Sequence, residues 1–248
     1  MWIFETVIVA FSMFSALPMP QIPWNEKNMR YAMCAFPLIG AVIGLAMRAW
    51  AAAAGGFHFP ELVRGAGFCL IPLIVTGGIH MDGFADTWDA LASHAPAEKK
   101  LQILKDPHIG AFGVIHIGMY LIAGFAVWAS IDTVKVLPLV FMFSLSRSLS
   151  GLAVTRFPLA KNTGLVHTFA SAADKRRAGG VLAVFAALCS AGLCLCGLDG
   201  VCMAAAAWAV FAWYYRMAKK EFGGITGDLA GWFLATAELA MAAVWCLC

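Results

Sequence analysis

The chain has 248 residues, of which 62% are hydrophobic and 12% charged, with a net charge of +3 and a mean hydropathy of +0.81. Soluble domains average about 45–50% apolar and about 25% charged residues, so this sequence lacks the polar surface of a soluble globule and is too apolar for a disordered chain. Neither its charge nor its composition suits nucleic-acid binding, and the reading that survives is a polytopic membrane protein.

A helix crossing a bilayer needs about 20 apolar residues at about 1.5 Å rise each. In chain order, apolar segments fall near 2–17, 31–54, 65–81, 109–131, 134–155, 178–197, 201–216 and 228–247. The first is short and carries Glu5, so it suits an interfacial position as well as a span. It has no basic residues ahead of its apolar run, and no cleavable signal peptide is expected. Gly40, Gly44, Gly118 and Gly124 are small residues of the kind that let membrane helices approach closely. The eight cysteines lie within or at the ends of apolar stretches. Cys194 and Cys196 lack the companion His or Cys pair of a zinc site, so they read as packing residues. Segments in lipid must satisfy their backbone internally. The expectation is therefore an all-α, polytopic bundle of about eight transmembrane helices, forming a single integral membrane domain over 1–248.

If all eight segments cross, the loops alternate between two sides. Thirteen of the 17 lysines and arginines then fall on one side, from Lys27 and Arg30 to Arg216, Lys219 and Lys220. Arg48, Arg64 and Lys135 fall on the other, and Arg147 lies inside a span. The positive-inside rule puts the basic side in the cytoplasm and both termini outside it. The cytoplasmic loops lie near 77–113, 156–179 and 216–228.

One of these loops carries GGIHMDGFADTWDAL (77–91), with Asp82, Asp86 and Asp89 at i, i+4 and i+7. On a helix these acids share an arc of about 60° on one face. Neighbours about 6 Å apart repel by roughly 3 kcal/mol at an effective dielectric of 20. Such a group needs protons or a bridging cation, and hard oxygen ligands with room for water and phosphate describe a Mg2+ site. A solvated acidic face is the plainer alternative. Against it, no lysine stands at i+4, and the opposite face carries Phe84, Trp88 and Leu91. His80, two residues before Asp82, faces away from the triad if the helix extends that far and reads as a hydrogen-bonded packing residue more than as a ligand. Gly77, Gly78 and Gly83 mark a chain break or a close backbone approach.

Three further polar islands share this side. LKDPHIGAFG (104–113) contains Lys105 and Asp106 before a Gly-spaced turn. Arg147, costing about 2.5–3.5 kcal/mol to insert, precedes RFPLAKNTGL (156–165) with Lys161. GGITGDLAG (223–231) is a Gly-rich turn ending at Asp228. Carboxylates for metal, cations for phosphate oxygens and Gly-rich turns together suit phosphoryl transfer.

HMDGFADTWDAL, LKDPHIGAFGV and GGITGD resemble the signature segments of the cobalamin synthase family, the adenosylcobinamide-GDP ribazoletransferases. FSALPMP (14–20), FPLIGAVIG (36–44) and RFPLAKNTGL are weaker echoes in the same order. The resemblance implies a Mg2+-dependent transferase of the bacterial cytoplasmic membrane, active on its cytoplasmic side late in vitamin B12 assembly. Its substrates would be adenosylcobinamide-GDP and α-ribazole or its 5′-phosphate, and GMP would leave. On this resemblance Asp82, Asp86 and Asp89 are metal-binding and catalytic. Lys105 and Asp106 match the family's lysine-aspartate pair, and Gly224, Thr226, Gly227 and Asp228 match its C-terminal motif. The ribazole 3′-hydroxyl would attack the cobinamide-linked phosphorus, with Asp86 or Asp89 taking its proton and His80 a competing base. Lys105, Arg147 and Lys161 would neutralise phosphate charge.

There are departures from the family pattern. Lys161 stands where an arginine is usual, the last span has Glu238 but Ala235 in place of a second acid, and no arginine precedes the N-terminal prolines. The other expected partner is the lipid bilayer; no nucleic acid is expected, and a homo-oligomer is left open. Two rival readings are weaker. A CDP-alcohol phosphotransferase would carry an arginine soon after its Asp-Gly, and DGFADTWDAL has none. A cation-coupled transporter would hold its ionisable residues near mid-span.

Overall fold

The computed structural model describes residues 2–131, 138–161 and 163–248. Lys135 of the charge count, the start of the segment expected at 134–155, and Asn162 lie outside the described residues. The described residues form twelve helices: α1 (Trp2–Phe14), α2 (Glu26–Met29), α3 (Ala32–Gly56), α4 (Glu61–Thr76), α5 (Ile79–Ala92), α6 (Ala97–Ile103), α7 (Ala111–Ser130), α8 (Pro138–Arg156), α9 (Leu165–Ala172), α10 (Lys175–Leu195), α11 (Leu198–Phe222) and α12 (Gly227–Leu247). Among the described residues the β-pairing is confined to a bridge between Leu159 and Ile225.

Each apolar segment of the sequence contains a helix, but the helices differ in reach. Six of them, α3, α7, α8, α10, α11 and α12, are long and apolar enough to cross a membrane. The 16-residue α4 ends at a break and is followed by α5 at 94°, while α1 has 13 residues. The break has a local cause. Gly77 and Gly78 adopt φ of 64° and 78°, a left-handed conformation that side-chain-bearing residues resist. Their N–H groups close the end of α4 on the carbonyls of Ile74 and Leu73. The chain then turns sharply, and α5 packs on α7 and α12 instead of continuing α4.

The buried α8 packs against α3 and α10, while α12 packs against α5 and α11. Small residues set the closest approaches. The α8 backbone at Phe143 and Val140 fills the places where side chains at Gly40 and Gly44 would stand. Gly83 of α5 lies on the backbone of Asp228, and Gly231 of α12 lies on the backbone of His80. Other contacts tie helix ends together at the same end of the bundle. Ala16 N–H donates to Val75 O at 2.8 Å, and Asp174 N–H donates to Arg30 O at 3.3 Å.

Arg147 of α8, expected among the phosphate-binding residues, is buried in the bundle and paired with Glu238 of α12. Ser146 also donates to Glu238 Oε1 at 2.9 Å, and the guanidinium lies over the Phe143 ring. Removing one member of a buried pair strands the other charge, typically costing 3–5 kcal/mol, whereas replacing both with apolar groups is often neutral. Glu238→Leu is therefore expected to lower unfolding stability in detergent by about 3–5 kcal/mol, and the double variant Arg147→Met/Glu238→Leu to recover most of it. Thermal unfolding of the wild type, both single variants and the double variant checks this.

Candidate active site

The three acids of α5 divide by role. Asp89 points to the start of α7, where Oδ2 accepts the Gly110 N–H at 2.8 Å and Oδ1 accepts the Gly113 N–H at 2.8 Å. It caps two orphan donors of the first turn, and its negative charge sits at the favourable end of the helix dipole. A side chain at Gly110 or Gly113 would strike this carboxylate. Asp82 is exposed and Asp86 half-buried, and neither is hydrogen-bonded or ion-paired among the described residues.

The place that Asp89 leaves is taken by an acid from the far end of the chain. Thr226 caps α12: its hydroxyl accepts from Leu229 N–H at 3.3 Å and donates to Asp228 Oδ2 at 3.3 Å. Because Gly83 lets α5 lie on the Asp228 backbone, Asp228 joins Asp82 and Asp86. Burial, followed by the charges of Asp82, Asp228 and Asp89, pushes the Asp86 carboxyl up to about 7.

The lysines come from two loops. The segment after α8 is fastened to the glycine turn before α12, with Ile225 N–H donating to Pro158 O at 2.8 Å and Ala160 N–H donating to Ile225 O at 3.0 Å. Gly224 has no side chain to obstruct this staple, since the Pro158–Ala160 backbone fills that space. Lys161 is thereby held close enough to feel both Asp228 and Lys105. Burial draws its ammonium below the usual range, with Asp228 opposing the shift and Lys105 adding to it. Lys105 itself is exposed. Gly227 is the first residue of α12.

Asp106 is fixed within its own turn. Its carboxylate accepts the His108 N–H at 3.0 Å and contacts the His108 ring at 2.9 Å. These bonds hold its pKa below the usual carboxylate range and shape the turn into α7. Two features escaped the sequence reading. The buried Lys100 pairs with Glu221 at 2.5 Å, tying α6 to α11. A cavity of about 290 Å³ opens beside Asp82 and Asp228, and His80 lines it. Glutamate 121 residues away gave no local signal for the first, and aromatic residues from separate helices gave none for the second.

Among the described residues no three His, Cys, Asp or Glu side chains converge closely enough to hold a metal ion by themselves. Asp82 and Asp228 nevertheless suit Mg2+, which commonly takes one or two carboxylates and completes its shell with water and substrate phosphate. Both border the same cavity, and Asp82 is exposed and without a protein partner among the described residues.

The structure thus defines a polytopic helical membrane protein with carboxylates, lysines and glycine turns gathered at one end of its bundle. The profile of the cobalamin-5-phosphate synthase family matches residues 6–246, and the chain belongs to that family. Three relatives bear the name adenosylcobinamide-GDP ribazoletransferase. The protein from Lachnoclostridium phytofermentans is 40% identical, covering 93% of this chain and 89% of the relative. That from Desulfitobacterium hafniense is 32% identical, covering 93% and 92%. That from Clostridium perfringens strain SM101 is 27% identical, covering 95% and 94%. No solved structure matches the chain.

The split among the acids has consequences for stability. Asp89→Ala is expected to destabilise the protein by about 1.5–3 kcal/mol, the range for hydrogen bonds to a charged group. Asp82→Asn, at an exposed and unpartnered position, should stay within about 0.5 kcal/mol of wild type. Denaturation in detergent compares the two. A pH effect follows as well. With its folded pKa raised from 3.8 to about 7, Asp86 keeps in the native state a proton that the unfolded chain releases. Its contribution is therefore present at low pH and lost as pH rises toward 7. In chelator, unfolding temperature should fall over that window, and Asp86→Asn should flatten the fall.

Proposed function

We propose that this protein is an adenosylcobinamide-GDP ribazoletransferase, joining α-ribazole or its 5′-phosphate to adenosylcobinamide-GDP with release of GMP. The observation that carries the reading is the convergence of three distant segments, around 82–89, 158–161 and 224–228, on one cluster of carboxylates and lysines. The relatives' shared name supplies the substrates.

In the reaction the ribazole 3′-hydroxyl oxygen bonds to the cobinamide-linked phosphorus. The bridging P–O bond of the pyrophosphate breaks, and GMP leaves with its electron pair. Asp86, half-buried and with a pKa near 7, suits the general base that takes the hydroxyl proton. Lys161 and Lys105 lie where they would meet phosphate oxygens; Lys161 offers a point charge and not the bidentate fork of an arginine. Arg147 acts inside the bundle through Glu238. Asp89 acts by fixing the start of α7, and His80 belongs to the adjoining cavity.

Asp82 and Asp228 would hold Mg2+ together with the phosphates of the substrate. When bound, the ion supplies charge neutralisation at the pyrophosphate and at the departing GMP. The excess of lysine and arginine at the loops of this end favours a cytoplasmic site in the bacterial inner membrane. In this topology α1 and α4 join the six long helices as crossings and α5 belongs to the cytoplasmic loop, which puts both termini outside the cytoplasm.

The test is turnover of detergent-purified protein with adenosylcobinamide-GDP, α-ribazole and Mg2+, following GMP and the cobalamin product by chromatography. Activity should require the divalent ion. Asp86→Asn should lower kcat by about 10²–10⁴-fold, the usual contribution of a general base, and Asp82→Asn should raise the Mg2+ requirement. Full activity of both variants, folded and in chelator, would overturn the assignment.

A further inference from the structure

The cavity beside the carboxylates has a chemistry of its own. Its volume is about 290 Å³, and it is walled by Phe14, Met33, Phe36, Val166, Phe169 and Leu234. Phe14 stands between the other two rings, with centroids 4.7 Å from Phe36 and 5.2 Å from Phe169. Sites for drug-sized ligands run to about 300–1,000 Å³, so this one suits a flat bicyclic ring and excludes a corrin macrocycle. Aromatic walls favour a planar aromatic guest.

The polar groups are few and placed at defined points. Asp82 and Asp228 line the cavity and also belong to the carboxylate cluster. His80 lines it too, and its Nε2 is buried without a hydrogen-bond partner among the described residues. A buried polar atom left unpaired is unfavourable, and a ligand that pairs with it gains affinity from relieving that state.

We propose that this cavity seats the heteroaromatic base of the ribazole, with His80 Nε2–H donating to the unsubstituted ring nitrogen. The inference rests on the transferase reading and extends it to base recognition. A nucleoside held by its base here has its ribose directed toward Asp82 and Asp228, where its hydroxyl is needed. His80 is thus a positioning and specificity residue, separate from the proton transfer assigned to Asp86.

Two measurements on the full-length protein in detergent test this. The first is calorimetric titration, without the corrinoid, of α-ribazole and of the analogue in which the free ring nitrogen is replaced by CH. Wild type should bind α-ribazole about tenfold more tightly than the analogue, and His80→Phe should remove that preference. Val166→Trp, which fills the cavity, should weaken both ligands at least tenfold. The second is the KM pair under turnover, where both variants should raise KM for α-ribazole and leave KM for adenosylcobinamide-GDP unchanged. A preference that survives His80→Phe, unchanged binding in Val166→Trp, or a lipid chain bound in the cavity that α-ribazole does not displace would each overturn the proposal. Selective binding of α-ribazole by a wild type that releases no GMP would instead overturn the transferase reading and leave the base site standing.

Discussion

The crossing of α5 over the start of α12 is the constraint on which the site depends. Gly83 and Gly231 let the two backbones touch, and neither position has room for a methyl group. Without that contact Asp228 would stand a side chain's width or more from Asp82 and Asp86. The glycine pair Gly77–Gly78 makes the crossing reachable by turning the chain 94° at the end of α4. Glycine thus acts twice, once through its backbone freedom and once through its missing side chain.

Packing then fixes the electrostatics. Carboxylates gathered in a partly desolvated place repel, and the chain limits that repulsion by dividing them. Asp89 is neutralised in effect by two N–H donors and the α7 dipole. Asp228 is steadied by Thr226 and stands near Lys161. The remaining tension falls on Asp86, whose affinity for its proton rises. A cluster of this kind is primed for a cation or for proton transfer, because either event relieves the repulsion that folding has imposed.

Much of this was legible in the residues. The helices follow from apolar runs long enough to require internal hydrogen bonding, and the acids and glycines were visible as motifs. Periodicity put Asp82, Asp86 and Asp89 on one face, and they do share a helix. It could not tell that Asp89 turns to α7, because that depends on Gly110 and Gly113 arriving from 21 and 24 residues away. Arg147 shows the same limit. An arginine in an apolar span announces that a partner exists, but Glu238 lies 91 residues on and becomes that partner only when α8 meets α12. Span length was also misleading near α4, where one apolar run contains both a short helix and a right-angle turn.

The staple between Pro158 and Ile225 carries the synthesis one step further. Two loops are joined by a pair of backbone hydrogen bonds, which fixes the segment before Lys161 against the turn before Asp228. The same unit borders the aromatic cavity, since Val166 and Phe169 follow Lys161 on α9 and Asp228 lines the wall. A ligand seated between α9 and α12 would therefore press on the element that holds the lysine. With the base seated as proposed, its recognition and the placing of the phosphate-facing lysine would share the backbone staple between Pro158 and Ile225, so that both substrates could be brought into line by one element.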